Sequence, residues 1–153
     1  MRPWIILGLV AWLAADAASQ AATGKVKKVL PQFLDDQGRA SVSPSLYDRD
    51  AYQAILNQHP EKRSGLQFQV HWRTKGPVWE PLTLRVELRG AAPGKLPKQR
   101  LLDQRVTPDG WFGHWSRIEL VGAEYKEFGE VTAWRVTLWE GQQQIGEQRS
   151  FLW

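Results

Sequence analysis

Cysteine is absent from the 153-residue chain. That one absence excludes disulfide support, a thiol nucleophile and a thiolate metal site, so packing alone must hold the fold together. Equally absent are a Gly-x-Ser-x-Gly elbow, a His-Glu-x-x-His helix and a glycine-rich phosphate loop, each of which supplies a geometry its chemistry requires. Histidine is scarce, at three residues. His59 precedes a proline at a helix end, His71 falls on the polar side of an alternating segment, and His114 follows Gly113. Two of these rings could meet across strands, but an imidazole pair with no acid or thiol at diagnostic spacing does not define a metal site. Asp35-Asp36 lacks the spaced oxygen ligands of a calcium loop and reads as a turn. The 16 acidic residues leave a glycosidase-type carboxylate pair open, because such pairing is made in three dimensions. The residues therefore point to a non-catalytic protein with no metal and no cofactor.

Long apolar runs are also missing, with one exception at the start. Trp4 to Ala15 is an uninterrupted apolar stretch of 12 residues, shorter than the roughly 20 a membrane-spanning helix needs. Arg2 precedes it and small residues follow, with cleavage expected after Ala17, Ser19 or Ala21. An uncleaved anchor is the alternative. No cysteine follows for a lipid, and a single arginine is not a twin-arginine signal. Residues 1–22 are thus expected to be a secretory signal, the mature protein to be periplasmic or secreted, and no stable membrane span to survive cleavage.

The formal net charge is +4, from 20 basic and 16 acidic residues; losing Arg2 and Asp16 with the leader leaves it unchanged. Both signs are interspersed, and the one compact basic patch is Lys25, Lys27 and Lys28. That pattern reads as a solvated surface with weak attraction to polyanions, and not as a nucleic-acid footprint. A protein or a polysaccharide is the expected class of partner.

Past the leader, residues 23–65 read as an extension. Val26 to Leu34 and Arg39 to Val42 are extended pieces flanking the turn Asp35-Asp36-Gln37-Gly38, and Pro31 confines the first to an edge or an irregular arm. SPSLYDRDAYQAILNQHP predicts a helix over 45–58. Ser45 is a candidate N-cap with Asp48 three residues on, and Ser43-Pro44 is the competing start. Tyr47, Ala51, Tyr52, Ile55 and Leu56 fall at helical spacing on one face, opposite Arg49, Asp50, Gln53 and Asn57. Pro60 ends the helix.

From residue 66 the period becomes two. LQFQVHW and LTLRVELR alternate apolar with polar, RLLDQRV reads as a short or edge strand, and HWSRIEL, AWRVTLW and QRSFLW complete six or seven strands separated by turn signals. The fold class expected is mainly β: an antiparallel sandwich over 66–153 behind an extension carrying one amphipathic helix. Residues 66–153, ending in the hairpin AWRVTLWEGQQQIGEQRSFLW, resemble a fibronectin type III or immunoglobulin-like domain in length and strand count. The resemblance implies a buried Trp72 and a core aromatic at Trp134. It departs from the immunoglobulin pattern in having no cysteine pair and no evident tyrosine corner, and it implies no particular function.

Nine tryptophans are the conspicuous excess, and seven remain once Trp4 and Trp12 leave with the signal. Strand parity sorts them. Ile118 and Leu120 put Ser116, His114 and Phe112 inward and Trp111, Trp115, Arg117 and Glu119 outward. Val136 and Leu138 put Trp134 inward and Arg135, Thr137 and Trp139 outward; a bulge at Gly113 would reverse Trp111 alone. Three fates are open to the outward rings. Arg117 and Arg135 could stack on them, the helix could cover them with its apolar stripe, or they could form an open platform for sugars or a protein. The helix is the leading expectation, since its stripe needs a partner. Function is expected to be that of an exported binding or structural module. The alternatives are a carbohydrate-binding module using Trp111, Trp115 and Trp139, and a periplasmic hydrolase or accessory domain.

Overall fold

The computed structural model describes residues 22–91, 94, 96–108 and 112–153. The signal segment expected over 1–22 lies almost wholly outside them. Seven strands and two helices follow in the order β1 (Thr23–Leu34), α1 (Leu46–Gln58), β2 (Gly65–Lys75), β3 (Leu82–Ala91), β4 (Lys98–Val106), β5 (His114–Val121), α2 (Gly122–Phe128), β6 (Glu130–Glu140) and β7 (Gln143–Arg149). They form two antiparallel sheets, β1-β2-β5 and β4-β3-β6-β7. No helix among the described residues is long and apolar enough to cross a membrane.

Alternation explains both sheets. Along β2, Leu66, Phe68, Val70 and Trp72 are buried, and along β3 so are Leu82, Leu84, Val86 and Leu88. They face one another with Val26, Val29, Ile118, Leu120, Val136 and Leu138 in a single core between the sheets. A period of two places every such residue on one face of a strand, so the apolar positions of both sheets must meet. Trp134 lies half-buried at the edge of this core, its ring T-shaped against Phe68 with centroids 6.3 Å apart.

Residues 23–34 are part of this sandwich and not an arm outside it. β1 pairs along the whole length of β2, from Thr23 opposite Lys75 to Leu34 opposite Gly65, with a bulge at Lys27. As Pro31 requires, β1 is an edge strand. The turn at Asp35–Gly38 forms, with Gly38 at φ 73°, but residues 39–42 form no strand. Instead Asp35 holds the start of the segment: its Oδ1 accepts from the backbone N–H of Gln37 (2.9 Å) and Arg39 (2.8 Å). That carboxylate satisfies the amides of Gln37 and Arg39, Gln53 satisfies the Ala40 carbonyl, and Ser41 bonds Ser43, so the segment needs no strand partner.

Helix α1 begins as its capping signals predict, with Asp48 N–H donating to Ser45 Oγ at 3.4 Å and Ser43 Oγ donating to the Asp48 carboxylate at 2.8 Å. Its seating differs from expectation. Of the stripe Tyr47, Ala51, Tyr52, Ile55 and Leu56, Leu56 alone is buried; Tyr47 is 83% exposed and Ile55 45%. The face turned inward is Arg49, Tyr52, Gln53 and Leu56, again at helical spacing but largely polar. The reason is what the helix packs against. Its neighbour is β1, whose free edge presents backbone groups: Gln53 accepts from Phe33 N–H (2.8 Å) and its Nε2 donates to the carbonyls of Phe33 (2.9 Å) and Ala40 (2.7 Å). An unpaired edge carrying amides calls for a polar helix face more than for an apolar one.

Helix α2 falls on VGAEYKEFG, a segment that carries no expectation of helix. It joins β5 of the smaller sheet to β6 of the larger and buries Phe128, which is so close to Gly90 that a Cβ there would lie 2.4 Å from the ring. The strand expected over QRSFLW ends at Arg149: Ser150 N–H donates to the Trp134 carbonyl (2.9 Å) and its Oγ accepts from Trp134 N–H (3.0 Å), and residues 151–152 form a turn.

Candidate functional site

The register of β1, β2 and β5 decides which side chains share the outer face of the smaller sheet. Lys28, His71 and Trp115 form one row across it, Leu30, Gln69 and Arg117 the next, and Gln32, Gln67 and Glu119 the third; Lys25 and Arg73 are paired beyond the first. The third row is a closed structure: Gln67 and Gln69 both donate their side-chain amides to Gln32 Oε1, at 2.9 and 3.0 Å, and Gln32 and Gln67 are buried. The first row is open. Trp115 is 54% exposed, and its indole lies on the His71 imidazole with centroids 4.9 Å apart and planes 13° from parallel. Directly opposed strand neighbours are close enough for such a pair, and it holds both rings in fixed rotamers.

The other side of the same strands anchors this row. Trp72 is 1% exposed, its Nε1 donates to Ser116 Oγ at 2.9 Å, and its ring lies 4.7 Å from that of His114. Gly113 allows the approach. It has φ 89°, and a Cβ on it would fall 2.9 Å from His71 Nε2 and 3.0 Å from the Trp72 carbonyl oxygen. Beside Trp115 a cleft of about 440 Å³ runs between β5 and the end of β4, with Arg105, Gln104 and Ser116 on its walls.

The expectation that α1 covers Trp115 and Trp139 is overturned by two facts. The rings lie on different sheets, Trp115 on β5 and Trp139 on β6, and α1 is seated against β1, away from both. Trp139 does point outward, but its surroundings are polar and closed. Its Nε1 donates to Thr137 Oγ1 at 2.8 Å and the Arg85 guanidinium stands 5.4 Å from its ring centre. Arg85 itself holds Asp103 through two bonds of 2.8 and 2.9 Å. Arg135 stacks on neither candidate ring: it is bidentate to Glu87 and lies 5.0 Å from the ring of Trp153, which Arg89 approaches to 4.0 Å. Arg117 likewise turns to Glu119, at 3.2 Å, and not to Trp115. An aromatic–arginine lattice therefore exists, but on the larger sheet and around Trp139 and Trp153.

Phe112, expected inward, is 94% exposed. Strand alternation does not extend past Gly113, because its left-handed backbone breaks the pleat and β5 begins at His114. Trp111 lies outside the described residues. His71 and His114 do not meet: His71 is opposite Trp115 on the outer face and His114 opposite Trp72 on the inner one. His59 is at the exposed end of α1, 2.9 Å from Glu61. Among the described residues no three histidine, aspartate or glutamate side chains come together as a metal site would require.

A second concavity, about 360 Å³, opens where β1 and β6 diverge, lined by Phe33, Leu66, Tyr125, Val131 and Trp134 with Arg63 and Glu130 among the polar groups. Arg63 is already engaged there, its guanidinium 3.9 Å above the Phe33 ring and hydrogen-bonded to the carbonyls of Leu56 (2.5 Å) and Asn57.

Comparisons with protein-family models, with curated proteins and with solved structures returned no match. The site is thus read from its own geometry. Three of its members take their place from register and not from parity alone. His71 sits on the polar side of β2 like any outward residue, and its partnership with Trp115 depends on the β2–β5 register. Lys25 and Lys28 reach the same face as Trp115 because of the bulge at Lys27, which no residue pattern announces.

Proposed function

We propose that this chain is an exported, non-catalytic β-sandwich module that binds a polysaccharide on the outer face of its smaller sheet, with Trp115 as the central contact. The carrying observation is the open Trp115 ring, stacked on His71 and more than half exposed on an edge strand that pairs along its whole length with β2. A flat ring fixed in this way meets the apolar face of a sugar at low entropic cost, since neither side chain must be ordered on binding. Export is read from the leader-like residues 1–22 and is consistent with a cysteine-free sandwich in the bacterial periplasm.

The strand order supports the fibronectin type III form of the resemblance over the constant immunoglobulin form. In the latter the fourth strand lies with the first, second and fifth; here β4 pairs with β3.

Affinity electrophoresis through gels containing soluble polysaccharides tests the reading. Retardation by at least one polymer, lost in Trp115→Ala with the far-ultraviolet circular dichroism unchanged, is the expected result. No retardation by any polymer removes the carbohydrate reading. Release of reducing ends that survives repurification and is abolished by a single acid substitution would remove the non-catalytic one.

A further inference from the structure

We infer that the polysaccharide is acidic, its carboxylates drawn to the cations that share the outer face of the smaller sheet with Trp115. The inference rests on the binding reading above and adds the charge of the ligand. Lys25, Lys28, Arg73 and Arg117 share this face with Trp115 and His71 by register, and Arg105 lies on the adjoining cleft. Among the described residues of these strands one acid accompanies them, Glu119, and it is committed to Arg117. Among the described residues no carboxylate lies within ion-pairing distance of Lys25, Lys28 or Arg73.

The larger sheet supplies the contrast. It too carries outward arginines and tryptophans, yet Arg85 is held by Asp103, Arg135 by Glu87, and Arg89 by the ring of Trp153. On the larger sheet Arg85, Arg89 and Arg135 are held by internal partners, whereas on the smaller sheet Lys25, Lys28 and Arg73 have no such carboxylate among the described residues. Same-face neighbours along a strand are about 6.8 Å apart and adjacent strands about 4.8 Å. Trp115 stands on the edge strand β5, with Arg73 and, one strand further, Lys25 and Lys28 to one side, Arg117 along its own strand and Arg105 across the adjoining cleft, so a chain with a sugar on the ring runs over a basic surface. Surface charges of one sign in this arrangement raise both the encounter rate and the affinity for a polyanion.

A nucleic acid is the less favoured polyanion. Single-strand binders stack successive bases on several rings; among the described residues of β1, β2 and β5 the outer face carries one exposed tryptophan, Trp115, with one side taken by His71. An acidic glycan needs one ring for one sugar and lets its charges do the rest.

The test uses the chain without residues 1–22, since the leader is read as removed, and three uronate polymers: polygalacturonate, alginate and hyaluronate. Each is paired with its carboxyl-reduced, uncharged counterpart, and single-stranded DNA is run alongside. Binding is measured by titration calorimetry at low and raised salt. The expected result is binding to at least one uronate that weakens tenfold or more on carboxyl reduction and falls with salt. Lys28→Gln and Arg73→Gln should each weaken it about two- to fivefold, with Arg85→Gln, on the opposite sheet, leaving it unchanged. Equal binding of the charged and reduced polymers, or binding of neutral polymers alone, overturns the charge assignment while leaving the carbohydrate reading standing. Tighter binding of DNA than of any uronate overturns the class of ligand. No binding to any polymer overturns both readings.

Discussion

The hydroxyl of Tyr52 on α1 donates to Asp35 Oδ2 at 2.7 Å, tying the helix to the end of β1. Asp35 is 2% exposed and also accepts from Arg39 Nε at 3.0 Å, while its own carbonyl accepts from Ser64 Oγ just before β2. One residue thus joins β1, the following turn, α1 and the approach to β2, the carboxylate holding the turn and α1 and the backbone carbonyl holding Ser64. A hydrogen bond to a charged group contributes about 1.5–3 kcal/mol. Asp35→Asn is expected to lose about 2–3 kcal/mol and Tyr52→Phe about 1–2, with the double variant falling short of the sum because both remove the same bond. Urea titrations of the four proteins measure this, and strict additivity would dissociate the helix from the turn.

The same carboxylate sets the acid limit of stability. Burial raises the Asp35 pKa, but donation from the Arg39 backbone, the Tyr52 hydroxyl, the Arg39 guanidinium and the Gln37 backbone outweighs it, leaving it lowered from 3.8 to about 2. A lowered pKa means stability that is present above 3.8 and lost as pH falls from there towards 2. The hydrogen bond to Asp35, and burial after it, raise Tyr52 above 10.0, so the corresponding contribution is lost as pH climbs past that value. Thermal melts across both ranges should show a smaller acid slope for Asp35→Asn and a smaller alkaline slope for Tyr52→Phe. An unchanged acid slope in Asp35→Asn would count against this account.

Two glycines with similar backbones separate strain from crowding. Gly38 has φ 73° and open space where a Cβ would sit, whereas Gly113 has φ 89° and would meet His71 and the Trp72 carbonyl. Gly38→Ala is expected to cost about 1–2 kcal/mol, the steric penalty of a left-handed residue. Gly113→Ala should exceed it by about 1–3 kcal/mol, and also weaken ligand binding by displacing His71 beneath Trp115. Denaturation midpoints with equal slopes provide the comparison; equal losses at the two sites would refute the crowding argument.

Trp72 and Trp115 lie on adjacent strands with opposite fates. Trp72→Ala is expected to cost about 3–5 kcal/mol, as large buried side chains do, and Trp115→Ala less than about 1 kcal/mol. Intrinsic fluorescence should agree, with external quenchers reaching Trp115 and not Trp72. A Trp115 loss as large as that of Trp72 would make it part of the core.

Gln53 caps the free edge of β1 with two hydrogen bonds to Phe33 and holds the following loop with a third to the Ala40 carbonyl. Beside it, Pro31 has no N–H to offer a neighbour. Gln53→Ala leaves Phe33's backbone groups unpaired, and a loss of about 1–3 kcal/mol is expected. Bare edges recruit other strands, so light scattering should show concentration-dependent association absent from the wild type. A monomeric variant of unchanged stability would remove the edge-capping role.

The two sheets were written in the period of the residues. LQFQVHW and LTLRVELR commit alternate side chains to one face, and burial of that face follows from hydrophobicity whatever the loops do. Ser43, Ser45 and Asp48 likewise state where α1 starts, because capping is a matter of neighbouring residues. Parity also told that Trp115 and Trp139 point outward. None of these needs a distant partner.

Parity could not say which sheet an outward ring belongs to, and that separated Trp115 from Trp139. Nor could helical spacing tell which side of α1 turns inward. The answer depends on the bare backbone edge of β1, which selects Gln53 and Tyr52 over Tyr47 and Ile55. The row of Lys28, His71 and Trp115 exists because three strands distant in sequence align in one register, shifted by a bulge at Lys27. Local chemistry determines what a strand is and which way its residues face. Register and edge satisfaction are long-range properties, and they alone assembled the basic, aromatic face on which the proposed function rests.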